Sequence, residues 1–287
     1  MELGIVIPHH EIGTDPGAIK EFVVGAEELG AGHLLVYDHV LGAKRDRPGG
    51  FNGPYDSDTA FHEPMVLLGF IAAVTRRIDL VTAILILPQR QTALVAKQAA
   101  QVDVLCGGRF RLGVGVGWNP VEYQALGEDW KTRGRRQEEQ VQLMNRYWTE
   151  RTVTFEGTFD RVAHAGIKPM PIQQPIPIWF GGGVDAVLRR AAKYGQGWIP
   201  LGNPGRTSMK MLETLRDYLA EEGRDPQTFG VEAWIRHNLG GPDEWRSAVD
   251  AWRNAGASHA TFYTSGQDVG GLDAQIAAMQ RFMDAMK

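Results

Sequence analysis

Leu80-Val-Thr-Ala-Ile-Leu-Ile-Leu87 is the stretch of sequence that decides the fold. It is a long apolar run and does not alternate between polar and apolar residues, which is typical of a strand buried on both faces of a parallel sheet. A helical pattern follows over residues 92–105, where Val95, Ala99 and Val102 share one face. The stretch therefore predicts a strand over 79–87 with a helix behind it, the repeating unit of an α/β sheet.

The same unit recurs on both sides of this stretch, eight times in all. The first helix begins at Asp15-Pro16 and ends at Gly30. The strands are expected at 3–7, 33–37, 79–87, 110–117, 176–180, 197–200, 229–235 and 259–263. The later helices are expected at 64–75, 92–105, 135–149, 184–194, 206–222, 243–255 and 272–286. Because the composition does not change along the chain, this rhythm predicts one α/β domain over residues 1–287, a (β/α)8 TIM barrel, rather than two doubly wound domains.

Two long connections interrupt the rhythm. Residues 38–63 follow the second strand, and residues 150–175 follow the fourth strand and its helix. A barrel with insertions after strands 2 and 4 is therefore expected. The first insertion should overhang the carboxyl-terminal mouth of the barrel.

Composition limits the kinds of partner. The chain has 287 residues, 43% of them hydrophobic, and a net charge of −4 with both signs interspersed, so neither a nucleic acid nor an anionic membrane is an expected partner. No apolar run is longer than about ten residues, whereas a membrane-spanning helix needs about 20. The single cysteine, Cys106, cannot form an internal disulfide, and no secretory signal is visible at the N-terminus. We expect a cytoplasmic protein that binds a small molecule.

Candidate site residues follow several of the expected strands, at the end where barrel enzymes place their active sites. They are His9, His10 and Glu11; Asp38 and His39; Trp118, Asn119, Glu122 and Tyr123; and Gly181 to Gly183. We interpret His39, next to Asp38, as a general acid/base or a cofactor contact, with a capping pair in a loop as the structural alternative. His9 and His10 are equally well explained as loop histidines. Adjacent strand residues point to opposite faces, which disfavours a metal site there.

Two glycine motifs also follow strands. Gly113-Val-Gly-Val-Gly117-Trp118-Asn119 lacks the third glycine of a dinucleotide-binding loop, because Trp118 occupies its place. Its glycines either let a flat group approach the strand or make room for barrel side chains opposite them. Phe180-Gly-Gly-Gly183 lies between a strand and a helix N-terminus, where free amides favour a phosphate. A turn that needs positive φ is the alternative.

These motifs together resemble a known family. The set, in chain order, is Tyr37-Asp-His39, Leu85-Ile-Leu-Pro88, Ala96-Lys-Gln98, Gly107-Gly-Arg109, Gly113 to Asn119, and Ile178-Trp-Phe-Gly-Gly182. It is similar to the luciferase-like flavin and deazaflavin oxidoreductases, especially the branch that uses coenzyme F-420. The similarity covers the chain to about residue 202 and weakens after it.

The resemblance implies a (β/α)8 barrel, usually a homodimer, with a flat ring system held at the strand ends. It places Asp38 and His39 beside the ring, as the residues implied in catalysis, and a non-prolyl cis peptide at Ala83–Ile84 as its support. The residues implied in cofactor binding are Asp38, His39, Ala83, Ile84, Gly115, Val116, Gly117, Trp118, Asn119, Phe180, Gly181, Gly182 and Gly183. The last three would form the phosphate loop.

The chain departs from the family pattern at two positions. Trp118 stands where the F-420-dependent sugar-phosphate dehydrogenases carry a glutamate, so the resemblance does not support a sugar phosphate as substrate. Gln196 stands where an aspartate is frequent. Trp118, Tyr123 and Phe51 indicate an apolar substrate pocket, although each also fits core or loop packing.

The expected function is that of an oxidoreductase that transfers a hydride between coenzyme F-420 and a small organic substrate. An FMN-dependent monooxygenase on the same barrel is the nearest alternative. A metal-dependent barrel hydrolase that uses His9, His39 and Asp38 is an alternative of another class. A barrel that binds a ligand without turnover is a third.

Overall fold

Parallel pairing of neighbouring strands closes the chain into a barrel. The computed structural model describes residues 1–200, 202 and 204–287, and in this part of the chain eight barrel positions are filled in chain order. The strands are β1 (Glu2–Val6), β2 (His33–Val36), β3 (Asp79–Thr82), β4 (Leu85–Ile86), β5 (Phe110–Gly115), β6 (Val153–Glu156), β7 (Arg161–Ala165), β8 (Ile178–Gly181), β9 (Gly197–Ile199), β10 (Gly230–Arg236) and β11 (His259–Tyr263). β3 and β4 share the third position, and both pair with β5, which closes the ring.

Helices surround the barrel. They are α1 (Pro16–Glu28), α2 (Pro64–Val74), α3 (Thr92–Cys106), α4 (Pro120–Ala125), α5 (Arg133–Thr149), α6 (Asp185–Tyr194), α7 (Arg206–Glu221), α8 (Pro242–Asn254) and α9 (Leu272–Ala285). α1 begins as the sequence predicts, because the Asp15 side chain accepts hydrogen bonds from the amides of Gly17 and Ala18. Within the described residues, every helix is too short or too polar to span a bilayer.

The predicted order of eight strand-helix units is confirmed, with one difference inside the stretch that decides it. The expected continuous strand over 79–87 is interrupted after Thr82, and the Ala83–Ile84 peptide bond is cis, as the resemblance implies. Beyond the interruption, the amide of Ile86 donates to a side-chain oxygen of Asp38 at 2.8 Å. A side chain that follows β2 therefore takes one of the hydrogen bonds of the third barrel strand.

The two insertions differ in position. Residues 38–63, which we call the mouth loop, connect β2 to α2 at the carboxyl end of the barrel, as predicted. The hairpin of β6 and β7 follows α5 and so lies outside the barrel, not directly after the fourth barrel strand. The Glu139 carboxylate on α5 holds its turn by accepting from the amides of Thr158, Phe159 and Asp160.

The barrel interior changes character along its axis. Its middle is apolar, with Val6, Leu35, Val81, Trp179 and Ile199 in one buried cluster. At the amino-terminal end of the strands, the closed end, the interior holds a buried polar network instead. The members of this network are Glu2, His33, Arg111, Glu232 and Thr261.

His33 is central to the closed-end network. Its Nδ1 lies 3.0 Å from Glu2 Oε1, and its Nε2 lies 3.0 Å from Glu232 Oε1 and 2.8 Å from the Thr261 hydroxyl. A side chain at position 4 would overlap the His33 ring, since a Cβ built there lies 2.1 Å from Nε2. Gly4 therefore makes room for the imidazole.

Candidate active site

A cavity of about 260 Å³ opens at the carboxyl ends of the strands. Most of its wall is aromatic or aliphatic. The lining residues are Tyr37, Asp38, His39, Tyr55, Phe61, Ala83, Ile84, Ile86, Gly117, Trp118, Gly202, Trp234, Arg236 and Tyr263. The cavity therefore gathers residues from the second, third, fourth, seventh and eighth barrel strands and from the mouth loop, as expected for a site at the mouth of a barrel.

His39 is held by a carboxylate from another part of the chain. Its Nδ1 lies 3.1 Å from Oε2 of Glu122, whose side chain is fully buried. The other oxygen of Glu122 accepts from the amides of Val40 and Leu41, at 2.8 and 3.3 Å. Burial opposes ionisation of Glu122, but these hydrogen bonds, that from His39 above all, outweigh it and lower the pKa of Glu122.

The Glu122 contact sets the proton arrangement on His39. An ionised carboxylate accepts a hydrogen bond from Nδ1–H, so the ring proton stays on Nδ1 and Nε2 is the basic nitrogen of the neutral ring. Nε2 has no hydrogen-bond partner among the described residues, and His39 lines the cavity. This is the arrangement that a general acid/base needs.

The position of Asp38 beside His39 favours a catalytic pair, but the contacts of the Asp38 carboxylate are with Arg90 and Ile86. Its carboxylate is fully buried, lies 2.8 Å from the Arg90 guanidinium and accepts the Ile86 amide at 2.8 Å. Burial raises the pKa of Asp38 even though Arg90 and the Ile86 amide stabilise the carboxylate. The orientation of the imidazole is therefore set by Glu122, not by Asp38, which joins the second and third barrel strands.

Ile84 forms the floor of the cavity. A Cβ at Gly115 would lie 2.5 Å from Ile84 Cδ1, and a Cβ at Gly181 would lie 2.3 Å from Ile84 Cγ2. At Gly117, where φ is +66°, a Cβ would lie 2.8 Å from a methyl carbon of Ile86. Of the two explanations of the glycine motif, the packing of barrel side chains opposite the glycines is therefore the one that the structure shows.

The remaining residues after β5 divide into cavity walls and supports. Trp118 is partly exposed in the cavity, with its ring centroid 5.3 Å from that of His39. Asn119 is buried and caps α4 by accepting the Val121 amide at 3.0 Å. Val116 accepts a hydrogen bond from the hydroxyl of Tyr123, which is buried outside the cavity wall. Tyr123 is therefore a packing residue, not part of the expected apolar pocket.

Phe180 and Gly181 end β8, and Gly182 and Gly183 lead from it into α6. Gly182 has φ +122°, donates its amide to the Ile199 carbonyl and accepts from the indole of Trp198. Phe180 is buried beneath it. Gly182 therefore has the positive φ that the turn explanation requires. Gly183, which lies just before the N-terminus of α6, has no positive φ.

Histidines after β1 are not arranged for a metal. His9 is fully buried, and burial together with the neighbouring His62 and His10 lowers the pKa of His9 to about 3. Asp38 is already paired with Arg90. Across residues 1–200, 202 and 204–287, no three histidine, cysteine or carboxylate side chains are placed to hold a metal ion.

Several wall residues were not identified from the sequence. Tyr55 and Phe61 of the mouth loop contact the His39 ring, with centroids 5.6 and 4.8 Å from it. Trp234 and Arg236 come from β10, and Tyr263 ends β11. The rule that selected Asp38 and Trp118, namely a polar or aromatic residue at the end of a strand, also selects Arg236 and Tyr263. Phe51, which was expected at the pocket, packs on Trp118 at 5.9 Å from behind the wall.

A parallel barrel whose mouth holds an aromatic cavity and a carboxylate-bound histidine has the layout of a barrel enzyme. The sequence comparison then identifies the family. The chain belongs to the luciferase-like monooxygenase family, whose model matches residues 1–281.

Relatives in this family use two related cofactors. The chain is 32% identical over 189 residues to the FMNH2-dependent dimethylsulfone monooxygenase of Pseudomonas putida, a match that covers 64% of this chain and 51% of the relative. It is 30% identical over 241 residues to the F-420-dependent glucose-6-phosphate dehydrogenase of Segniliparus rotundus, which covers 80% of this chain and 67% of the relative. The chain spans just over half the length of other curated relatives, 56% for three mycobacterial proteins.

The fold is also shared with solved structures. An F-420-dependent secondary alcohol dehydrogenase, in complex with an F-420–acetone adduct, superposes with a TM-score of 0.80 at 18% identity. The superposition covers 100% of this chain and 99% of that one. The predicted luciferase-like barrel is thereby confirmed.

Proposed function

We propose that the protein is an oxidoreductase that transfers a hydride between coenzyme F-420 and a small organic substrate at the barrel mouth. The observation that carries the proposal is the His39–Glu122 pair beside an aromatic cavity with Ile84 as its floor. A bound deazaflavin supplies the hydride chemistry, and the protein supplies position and protons. The family relatives that use F-420 or FMN support this type of cofactor.

The cavity fits a flat ring system. Its floor is the side chain of Ile84, which Gly115 and Gly181 allow to sit deep between β5 and β8. Trp118 and Phe61 give flat walls on the side of His39. We propose that Ala83, Ile84, Gly117 and Trp118 contact the ring directly, and that Gly115, Val116, Asn119 and Phe180 support these contacts from behind.

His39 is the residue that we propose to handle the proton that accompanies hydride transfer. Its Nε2 accepts or returns the proton, while Glu122 stabilises the positive charge that the ring acquires when both nitrogens are protonated. Asp38 acts one step away, by fixing the backbone of β4 beneath the cavity through the Ile86 amide. Tyr55 and Phe61 of the mouth loop reduce the access of water to His39.

Gly181 to Gly183 are proposed to hold the phosphate of the cofactor. They precede α6, so the phosphate would lie at the positive end of the helix dipole. Gly183→Asp tests this better than a change at Gly182, because Gly183 has no positive φ. A Cβ added at position 183 would lie 2.8 Å from the sulfur of Met211, which is the flexible end of that side chain. The carboxylate should weaken F-420 binding by at least about tenfold through charge repulsion.

Gly183→Ala is the matched control, since it displaces Met211 in the same way without adding charge. Equal effects of the two variants on cofactor affinity would mean that the loop only needs space. Unchanged affinity in both folded variants would remove the phosphate from this loop.

FMN is the alternative cofactor, and dioxygen would then be the second substrate of a monooxygenase. Titration of metal-free protein with F-420 and with FMN, each oxidised and reduced, decides between the two. We expect F-420 to bind more tightly and to be reoxidised only with a substrate present. Equal or tighter binding of FMN would reverse the order of the two functions, and no binding of either would overturn the oxidoreductase.

We also propose that the protein is a cytoplasmic homodimer with one barrel domain, residues 1–287, in each subunit. α2 has no charged residue, and Val66 and Phe70 on its outer face are exposed together with Leu94 and Leu105 of α3. Exposed apolar side chains on two adjacent helices favour burial against a second copy. Sedimentation of the wild type and of Val66→Glu tests this, because a charge in that face should produce monomers.

A further inference from the structure

Arg236 is the charged group in the described part of the cavity wall that has no ion-pair partner. Two lining residues carry a charge, Asp38 and Arg236, and Asp38 is neutralised by Arg90. Among the residues that the structure describes, no carboxylate lies within 4 Å of the Arg236 guanidinium to form an ion pair. Its nearest aromatic neighbour is Tyr263, with the guanidinium carbon 5.8 Å from the ring centroid.

Arg236 lies across the barrel mouth from Ile84. Glu232, Trp234 and Arg236 alternate along β10, so all three side chains project to the same side of the strand, the barrel interior. β10 fills the seventh position of the barrel and Ile84 follows the strand of the third, which are opposite each other in a ring of eight. A flat molecule lying on Ile84 would therefore have Arg236 across the cavity from it.

Tyrosines near Arg236 keep their protons. The ring of Tyr263 lies 6.1 Å from that of Tyr37, in an edge-to-face arrangement. Burial is the main cause that raises the pKa of Tyr37 and of Tyr55, so these hydroxyls stay neutral at ordinary pH. Trp234 stacks on Tyr37 with an angle of 17° between the rings, which extends the aromatic wall below the guanidinium.

We propose that the substrate is a planar, largely apolar molecule that carries one carboxylate, and that Arg236 binds this carboxylate while the aromatic wall holds the rest. The proposal rests on the proposed function, since it names the substrate class of the same site. A guanidinium presents two parallel N–H groups, which match the two oxygens of a carboxylate. The flat walls of Tyr37, Trp118 and Trp234 match a planar skeleton.

A carboxylate fits better than a phosphate ester. A phosphate dianion carries nearly two charges, and proteins hold it with several cations or with a helix N-terminus. In the described part of the cavity wall, Arg236 is the single cation. One guanidinium surrounded by neutral hydroxyls is therefore matched in charge to a monoanion.

The test measures binding of 2-naphthoate, 2-naphthamide and 2-naphthyl phosphate by calorimetry, to cofactor-free protein and to protein saturated with F-420. We expect 2-naphthoate to bind at least about tenfold more tightly than the neutral amide, the effect of one charge-assisted pair of hydrogen bonds. Arg236→Gln should abolish this preference, and Arg236→Lys should keep part of it, because an ammonium cannot donate the parallel pair. Arg161→Gln, on the exposed hairpin, is the control for loss of one positive charge.

Equal affinity for naphthoate and naphthamide, or tighter binding of the phosphate, would overturn the proposal. So would an Arg236→Gln variant that keeps its affinity for naphthoate but loses affinity for F-420, because the guanidinium would then serve the cofactor. Binding to the cofactor-free protein is measured independently of hydride transfer. Failure of the oxidoreductase function is therefore seen in the F-420 titration, and failure of the carboxylate proposal is seen with the naphthyl probes.

Discussion

Histidine and glutamate side chains are in contact at both ends of the barrel, and the two ends differ in how many of the histidine nitrogens are already bonded. At the closed end, both nitrogens of His33 have partners, and Glu232 also contacts Arg111 at 2.9 Å. At the mouth, His39 has Glu122 on one nitrogen and the cavity beside the ring. Histidine and glutamate therefore form a structural network where both ring nitrogens are bonded, and a reactive group where one ring nitrogen is left free.

The two ends of the barrel also differ in the electrostatics of their histidine and glutamate side chains. Burial opposes charge on both partners at the closed end, but His33 and Arg111 outweigh it and lower the pKa of Glu232 to about 2, while Glu232 raises the pKa of His33. The closed end therefore places Glu232, His33 and Arg111 in one buried network whose charges depend on one another. Disruption there should change stability, whereas disruption at the mouth should change chemistry.

The largest expected effect is that of His39→Ala on turnover. Loss of a positioned acid/base should lower the rate of substrate-dependent F-420 oxidation by about 10²–10⁴-fold. F-420 affinity and the free energy of unfolding should stay close to wild type, because His39 lies at the surface of the cavity and makes one side-chain hydrogen bond. Rapid-mixing kinetics, cofactor titration and denaturant unfolding measure the three quantities. Wild-type turnover would make His39 a bystander.

Glu232→Gln is the corresponding change at the closed end. It leaves Arg111 and His33 without their buried counter-charge, which should lower the free energy of unfolding by about 3 kcal/mol. F-420 affinity of the folded fraction should not change, since Glu232 lies at the other end of β10 from the cavity. Urea unfolding provides the measurement. A stable variant with a weakened cofactor site would show that the two ends are not separate.

Glu122→Gln should have a smaller effect on turnover than His39→Ala, of about 10–100-fold. The amides of Val40 and Leu41 both need an acceptor, so the Gln oxygen would face them and its NH2 group would face His39 Nδ1. The proton would then move to Nε2, and the free nitrogen would no longer be basic. The dependence of turnover on pH should shift in this variant while F-420 affinity is retained. A purely structural role for Glu122 would leave the pH profile in place.

The smallest expected effect is on the pH dependence of stability. The pKa of Glu232 is about 2 in the folded protein and ordinarily 4.5, so its contribution is present above pH 4.5 and is lost as the pH falls from 4.5 toward 2. The lowered pKa of His259, about 4, removes stability as the pH falls from 6.5 toward 4, whereas the raised pKa of His33 gives stability that is lost only as the pH rises above 6.5. Urea midpoints in this acid range should therefore fall less steeply in Glu232→Gln than in wild type, and His39→Ala should follow wild type. Parallel slopes in all three proteins would mean that Glu232 is not ionised when buried.

The alternation of strands and helices was predictable because it rests on local patterns, such as the buried run after Asp79 and the cap at Asp15. The positions of Asp38, His39 and Trp118 at the mouth were predictable for the same reason, since a strand end is a local feature. The hydrogen-bond partners of these residues could not be predicted from the sequence. Glu122 is 83 residues away from His39, and nothing in the sequence states which of the carboxylates at the strand ends will reach it.

The glycines illustrate the same limit. A sequence with glycine at alternating positions shows that space is needed, but not what fills it. In the structure the space beside Gly115 and Gly181 is taken by one side chain of the neighbouring strand, that of Ile84. Gly182 needs its positive φ, and Gly183 does not, although the three adjacent glycines look identical in the sequence.

Ile84, Gly115 and Gly181 together have a consequence for how this site can evolve. The Ile84 side chain is branched at Cβ and so has little freedom to rotate away from either glycine. An alanine at Gly115 or Gly181 would meet it at 2.5 or 2.3 Å, and would be accepted only in a lineage where position 84 had already become smaller. The three positions are thus epistatic, and their order of change is fixed. Adaptation to new substrates is easier in the part of the mouth loop between Arg45 and Asp56, whose ion pair lies within the loop itself and not between the loop and the barrel.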